Sequence, residues 1–288
     1  MTRVLVTGGN GQVGRSIAEL ASDARFAALD IAVTDRSTVD ITDRAGLNAA
    51  FDRLQPDVVI NAAAYTSVDA AESDEAAATA VNTDGVASLA DLCAAHGARL
   101  LHLSTDYVFD GTKDGWYVED DATAPLGHYG RTKARGEAAI RAQIDDHLIL
   151  RSSWLYSAHG HNFVKTMLRL ATDNAEMRVV ADQVGCPTSA HDLADALLRL
   201  VDTECRGTFH LAGTQEATWH EFAVGIVEAA GIDVEIEAIA TTEYATRTPR
   251  PANSRLDSTA IVDAAGIRLP GWRTSLPAVI EQIQALND

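Results

Sequence analysis

Tyr129 and Lys133, in Tyr129-Gly-Arg-Thr-Lys133, stand four residues apart, so a helix would present a phenol and an ammonium on one face. A phenol with its ordinary pKa of about 10 exchanges protons poorly at neutral pH, and an adjacent ammonium favours phenolate and lowers that value. The Tyr-x-x-x-Lys spacing is also common as a plain surface pair. Its chemical meaning here comes from Ser104-Thr-Asp-Tyr-Val-Phe-Asp110, which ends an apolar run. Thr105 thereby offers a hydroxyl at the carboxyl edge of a sheet, where a reacting carbonyl would lie.

A second constellation, Thr7-Gly-Gly-Asn-Gly-Gln-Val-Gly14, follows an apolar strand and opens a helix. It reads as G-x-G-x-x-G through Gly9, Gly11 and Gly14, or as G-x-x-G-x-x-G through Gly8, Gly11 and Gly14. Both readings ask for a sharp turn, for backbone without Cβ beside a pyrophosphate, and for close packing of helix on strand. In this strand–turn–helix setting the loop predicts dinucleotide binding, although glycines also serve plain turns. About twenty residues on, where an acidic side chain holds the ribose hydroxyls, stand Asp35 and Arg36. Asp35 suits a ribose diol and Arg36 a 2′-phosphate, so both NADH and NADPH are candidates. The competing reading is that Asp35 only starts a turn.

The elements that must carry these residues alternate strand and helix, the signal for parallel βαβ units. Strands are expected at Arg3–Gly8, Asp30–Asp35, Asp57–Ala62, Arg99–Thr105 and Leu148–Ser152. Helices are expected at Gln12–Ala21, Ala45–Leu54, a long Ala-rich stretch from Asp74 to His96 stopped by Gly97, and Tyr129–Ile144. Beyond residue 151 the chain turns polar and rich in turn formers, around short helices at Phe163–Asp173, Ala190–Val201 and Trp219–Ala230. The predicted class is α/β, a Rossmann-type doubly wound parallel sheet with a smaller C-terminal substrate lobe over the strand ends. Residues 1–155, with part of 177–205, are assigned to the sheet; 206–288 with 156–176 are assigned to the lobe.

With 288 residues and 47% hydrophobic content the chain can bury such a core. The start of the chain carries no signal-peptide pattern, no apolar run spans a bilayer, and three scattered cysteines suggest neither disulfides nor a zinc cage. A cytoplasmic setting is expected. The net charge of −18 argues against nucleic-acid or anionic-membrane partners. Only three lysines accompany the arginines, which fits incidental codon bias or adaptation to a salt-rich cytoplasm; the second is carried forward.

Taken together, the motifs resemble the dTDP-4-dehydrorhamnose reductase family of the extended short-chain dehydrogenase/reductase superfamily. The similarity runs through Asn61-Ala-Ala-Ala-Tyr-Thr, Val68-Asp, Ser104-Thr-Asp-Tyr-Val-Phe-Asp-Gly and Tyr129-Gly-Arg-Thr-Lys. It continues through Arg151-Ser-Ser-Trp-Leu-Tyr, Asn162-Phe-Val-Lys-Thr-Met-Leu, Asp182-Gln-Val-Gly-Cys-Pro-Thr and Arg250-Pro-Ala-Asn-Ser-Arg-Leu-Asp. The resemblance implies reduction of the 4-keto group of a dTDP-sugar by NADPH or NADH. In that scheme Tyr129 protonates the alkoxide, Thr105 bonds the same oxygen, and Lys133 holds the nicotinamide ribose and tunes Tyr129. It implies a cofactor site of Gly8, Asn10, Gly11, Gln12, Val13, Gly14, Asp35, Arg36, Asp40, Ile41, Ala62, Ala63, Ala64 and Tyr65, with Tyr129 and Lys133. It implies that Val68, Asp106, Trp154, Asn162 and Arg250 face the substrate with Thr105 and Tyr129; for Trp154 a core role is the alternative.

Within the same resemblance, a nucleotide-sugar epimerase or dehydratase shares the cofactor loop and the Tyr/Lys pair. Dehydratases carry acid/base carboxylates after the threonine of the fourth strand, and Asp106-Tyr107 does not match that pattern. A non-catalytic NADP-binding regulatory subunit is the third reading, against which the intact Thr105, Tyr129 and Lys133 weigh. His159-Gly-His161 lacks a third ligand nearby and Glu119-Asp120-Asp121 reads as a solvated turn, so no metal is assigned. The partner expected is the nucleotide sugar, with room for a homodimer.

Overall fold

The protein, described from a computed structural model, is defined over residues 1–173, 176–244 and 246–287. Six parallel strands form its main sheet: β1 (Thr2–Thr7), β2 (Leu29–Val33), β3 (Val58–Asn61), β4 (Arg99–Thr105), β5 (His147–Ser152) and β6 (Gly207–His210). Their order is β2-β1-β3-β4-β5-β6. The chain leaves β1 for one side of the sheet and then returns to its other side, so the switch point lies between β1 and β3. β3 and β5 are buried at every residue, as strands covered on both faces must be.

On one face pack α1 (Gln12–Leu20), α6 (Ala190–Leu200) and α8 (Thr259–Ala265), through Ile17, Leu193, Leu197 and Ile261 against Val4 and Val6. On the other lie α2 (Arg44–Leu54), α3 (75–96) and α4 (His128–Gln143), through Leu47, Phe51, Leu89 and Ile140 against Leu5 and Val59. The Asp43 carboxylate caps α2, which ends at Gln55 in a left-handed conformation before Pro56. Gly97, with φ +67°, ends α3 as its sequence position demands.

The lobe has its own core. α5 (Phe163–Thr172), α7 (Trp219–Ala229) and α9 (Trp272–Asn287) enclose Tyr156, Met167, Phe222, Ile226, Trp272 and Leu276. Met177–Val180 pairs in parallel with Ile236–Ile239 beside them. Among the described residues no helix is long and apolar enough to cross a membrane.

Three features differ from expectation. Gly207–His210, assigned with the lobe, is the outer strand of the main sheet, paired with β5; four residues are too few to show a strand period. Met177–Val180, assigned with the sheet, pairs inside the lobe. The long Ala-rich helix is not regular: Glu75–Thr79 widens into a π-helical turn, Ala80–Gly85, before continuing as Val86–His96. Asn82 sits in that turn, and Gly136 of α4 approaches so closely that a Cβ there would lie 2.3 Å from its carbonyl oxygen.

α4, which carries Tyr129 and Lys133, is pinned to the sheet by a buried ion pair. Arg151 on β5 donates from Nε and Nη2 to the two oxygens of Glu137 at 2.9 and 2.7 Å, and Ser104 on β4 donates to the same carboxylate at 2.6 Å. Burial would raise the Glu137 carboxyl, but the Arg151 hydrogen bonds and charge outweigh it and hold the carboxyl below its ordinary value. Glu137→Ala leaves the Arg151 guanidinium buried and unpaired, so a loss of about 3–5 kcal/mol in urea unfolding at pH 7 is expected. Because the folded value is depressed, this contribution is present above the ordinary glutamate pKa of about 4.3 and is lost as pH falls through the folded value. Stability should then decline less steeply in Glu137→Gln than in the wild type below that pH; equal acid slopes would exclude the pair as a source of pH dependence.

Candidate active site

The glycine loop closes over the switch point. Gly8 adopts φ +77°, and a Cβ on it would lie 2.5 Å from the Ala63 nitrogen and 2.6 Å from the Ala62 carbonyl. A Cβ on Gly14 would lie 2.3 Å from the Gly8 oxygen, and one on Gly9 2.9 Å from the Thr34 oxygen. Three glycines thus answer three separate steric demands at the carboxyl ends of β1 and β3, where ligands of such sheets bind. α1 starts there without a side-chain cap or acidic first turn, whereas Asp43, Asn162, Ser189 and Thr218 cap α2, α5, α6 and α7. Its first N–H groups therefore remain for an anion.

Asp35 lies beside this loop, but its carboxylate is already engaged. Oδ1 accepts from the Ser37 hydroxyl and backbone at 2.6 and 3.0 Å, and Oδ2 accepts from Asn10 Nδ2 at 2.8 Å. The turn-starting reading describes what this side chain does, and its carboxyl is held below the ordinary range, first by the Ser37 hydroxyl. Arg36 extends outward, 81% exposed, and pairs with Asp40 at 3.0 Å. Val13 and Ile41 are buried in the two sheet cores, so only their backbones face the loop side. Ala62, Ala63, Ala64 and Tyr65 are half-buried past β3, and the Asn82 side chain clasps the Tyr65 backbone at 2.9 and 3.0 Å.

Thr105 ends β4, with Tyr129 and Lys133 on the adjoining α4, all three buried. The Thr105 hydroxyl donates to Asp106 Oδ1 at 3.0 Å. The ring of Tyr107 meets Tyr129 edge-on at 5.6 Å. Lys133 turns away from the phenol: its Nζ donates to the Leu103 carbonyl at 2.6 Å and lies 3.2 Å from His102 Nε2. The expected lowering of Tyr129 by an adjacent ammonium is therefore overturned for this conformation. Burial raises the phenol well above its ordinary value, partly offset by the Thr105 hydroxyl, and burial lowers Lys133 to about 8. Asp106 is raised to about 6 by burial.

Beyond Tyr107 opens a cleft of about 1170 Å³ between the sheet and the lobe. Val68 and Arg250 line it with Asp69, Met167, Arg178 and Trp219. Arg250 is oriented by Asp69, to which it donates at 2.7 Å. Asp106 is buried beside Thr105 and does not line the cleft. Trp154 and Asn162 are not in the cleft wall. Trp154, at φ +50°, stacks on Trp219 with centroids 3.4 Å apart, and Gly185 leaves room for its ring. Asn162 caps α5 and donates to Gln12 Oε1 at 3.1 Å, tying the lobe to the glycine loop.

His159 meets Glu19 at 2.7 Å, and no group of three His, Cys, Asp or Glu among the described residues is placed to hold a metal ion. Sequence reasoning missed Asn82 and His102. A histidine among leucines in Leu100-Leu-His-Leu103 was the one signal for the latter.

Residues 1–285 match the family described as the RmlD substrate binding domain. A dTDP-4-dehydrorhamnose reductase of Sinorhizobium fredii is 43% identical over 284 residues, 95% of each chain. The crystal structure of a dTDP-4-dehydrorhamnose reductase from Clostridium acetobutylicum superposes with a TM-score of 0.94 at 37% identity, covering 98% of this chain and 100% of that one. The enzyme of that name from Bacillus anthracis, solved in complex with NADP, superposes with a TM-score of 0.93 at 34% identity over the same shares. With its glycine loop, its buried Thr105, Tyr129 and Lys133 and this end-to-end likeness, the chain belongs to the RmlD substrate binding domain family, alongside dTDP-4-dehydrorhamnose reductases.

Proposed function

We propose that the protein reduces the 4-keto group of dTDP-4-dehydro-L-rhamnose to give dTDP-L-rhamnose, with NADPH or NADH as reductant. The observation that carries this reading is the burial of Thr105 and Tyr129 beside Tyr107, which lines a large cleft between the sheet and the lobe. The residues fit the cofactor. Gly8 and Gly14, where a Cβ would strike neighbouring backbone, let the loop fold tightly beneath α1, and the uncapped start of α1 offers N–H donors to an anion. When bound, the nicotinamide supplies the hydride. Tyr129, kept protonated by burial, delivers its proton to the substrate oxygen, and Thr105 donates a hydrogen bond to that oxygen. Lys133 holds the nicotinamide ribose. Asp35 and Arg36 flank the adenosine end, and Val68 and Arg250 take the nucleotide sugar, with the lobe as its lid. Both ligands are soluble metabolites, and the cytoplasm is the compartment this implies.

The direct test is loss of nicotinamide absorbance on mixing the protein with NADPH or NADH and the 4-keto sugar nucleotide. Tyr129→Phe should still fold and bind cofactor while turnover falls about 10²–10⁴-fold. A rate near wild type for the purified variant would remove Tyr129 from the reaction. Since the exposed guanidinium of Arg36 is free to leave its half-buried partner Asp40, Arg36→Ala should raise the KM for NADPH far more than that for NADH. Equal changes for the two cofactors would assign Arg36 elsewhere.

On the charge of −18 alone we infer a surface suited to concentrated salt. Carboxylate repulsion acts over about 30 Å at 0.01 M salt and about 3 Å at 1 M, so the melting temperature should climb with sodium or potassium chloride. A flat curve between about 0.1 and 2 M would sink this inference, with the enzymatic one untouched.

A further inference from the structure

His102 is fully buried on β4, and both its ring nitrogens are engaged without any part in the chemistry proposed so far. The polarity of those contacts follows from Asn61. The Asn61 Oδ1 position receives the backbone N–H of Ala63 at 3.1 Å and the Thr7 hydroxyl at 2.7 Å. A backbone N–H can only donate, so the atom facing it is the amide oxygen, and the orientation of the amide is settled. Asn61 Nδ2 then donates to His102 Nδ1, 2.9 Å away. A neutral imidazole carries its single proton on the other nitrogen, which aims an N–H at Lys133 Nζ across 3.2 Å.

An ammonium has three donors and no acceptor. It cannot receive that N–H. A neutral amine can, with its lone pair toward His102 and one hydrogen toward the Leu103 carbonyl at 2.6 Å. Protonating the imidazole gives no relief, because it would set a second N–H against Asn61 Nδ2. Burial and the neighbouring Lys133 also hold the His102 pKa well below its ordinary value. We propose that Asn61 and His102 are positioning residues that set the proton affinity of Lys133, disfavouring the ammonium so that Nζ gives up its proton at a lower pH in the cofactor-free protein than an unconstrained lysine would.

The surroundings agree. On α4 itself Glu137 favours the ammonium, but its carboxylate is bound by Arg151 of β5, by Arg141 and by Ser104. Past β4, Asp106 accepts from the Thr105 hydroxyl, and both it and the Tyr129 phenol are buried. Glu72 and Glu75 from the segment before α3 and its start meet His128 and Arg131 at the head of α4. Among the described residues no carboxylate forms an ion pair with Lys133, and burial already lowers it to about 8. The lowered affinity rests on this geometry alone; its consequence for turnover rests on the role of Lys133 proposed above.

The chain has only three lysines, Lys113, Lys133 and Lys165, so lysine labelled with ¹³C at Cε gives a spectrum of three side-chain signals, with Lys133→Met identifying one. In the cofactor-free wild type the Lys133 signal should titrate near pH 8 or below, apart from the other two, and ¹⁵N shifts should place the His102 proton on Nε2. Asn61→Asp puts an acceptor opposite Nδ1, moves the ring proton there, and turns Nε2 into an acceptor for an ammonium. His102→Gln lets a carbonyl oxygen face Lys133 without adding charge. Both should raise the Lys133 midpoint by about one pH unit or more, a tenfold gain in proton affinity. The basic limb of the kcat/KM profile should move the same way, whereas a merely structural role would lower activity and leave that limb in place.

A wild-type Lys133 that titrates with the other lysines, a proton on His102 Nδ1, or midpoints unmoved in both variants would each overturn the proposal. The first two need only the wild-type protein, so misfolding of a variant does not decide the matter. No spectrum requires turnover, so an inactive protein would count against the reductase assignment and not against this one.

Discussion

At the carboxyl edge of the sheet two stretches of backbone touch, Gly8 at the end of β1 and Ala62–Ala63 past β3, and the site is assembled around that contact. A missing Cβ brings them together, since one on Gly8 would stand within 2.6 Å of both neighbours. Gly14 then closes on the Gly8 carbonyl and draws the head of α1 onto the loop. The same approach brings the Ala63 N–H and the Thr7 hydroxyl onto the Asn61 side chain. The floor of the dinucleotide site and the hydrogen-bond chain running through His102 to Lys133 therefore share one foundation. A side chain at Gly8 would disturb both at once.

The helix carrying the phenol and the amine is fixed by polar groups where apolar packing would have been simpler. Glu137, Arg151 and Ser104 hold one turn of α4, and Asn82 with Thr132 holds the turn before it. Buried polar groups stabilise little in net terms when satisfied and cost several kcal/mol when left unpaired. Their return is positional: directional bonds admit one register of α4 against β4, where leucines would admit several. The π-helical turn at Ala80–Gly85 belongs to the same device. It swings Asn82 toward Thr132 and the Tyr65 backbone while Gly136 passes over its carbonyl.

How much of this was legible in the sequence follows from the distance over which each feature is decided. The glycine loop was legible because its glycines answer local demands of turn and close packing. Tyr129, Lys133 and Thr105 were legible as neighbours because helical spacing and a strand end fix where their backbones lie. The direction of the Lys133 side chain was not, because His102 and Leu103, some thirty positions earlier, decide it. Trp154 reads equally as ligand contact or core until Trp219 is seen stacked on it. Asn162 reads as a substrate contact, and nothing in its own segment announces that it also caps α5 and binds Gln12, 150 positions away. Asp35 carries both of its sequence readings into the structure, turn former in fact and ribose ligand in prospect.

The shift of Tyr129 keeps the phenol protonated at rest, where the spacing to Lys133 alone suggests a lowered phenol. A group that must give up a proton should hold it at rest, and burial keeps the Tyr129 phenol neutral throughout the physiological range. The difficulty comes afterwards, when a phenolate is left in a buried pocket and needs a positive charge nearby. An amine with a pKa of about 8 is mostly ammonium at neutral pH and supplies that charge, holding its proton more firmly once the phenolate stands beside it. The two groups then titrate as a coupled pair, and the proton affinity that matters belongs to the pair. A lysine of ordinary affinity would stabilise the phenolate in every state and lower the phenol's pKa before hydride transfer. By lowering the proton affinity of the resting amine, the Asn61–His102 chain weights that stabilisation toward the stage of the reaction that needs it.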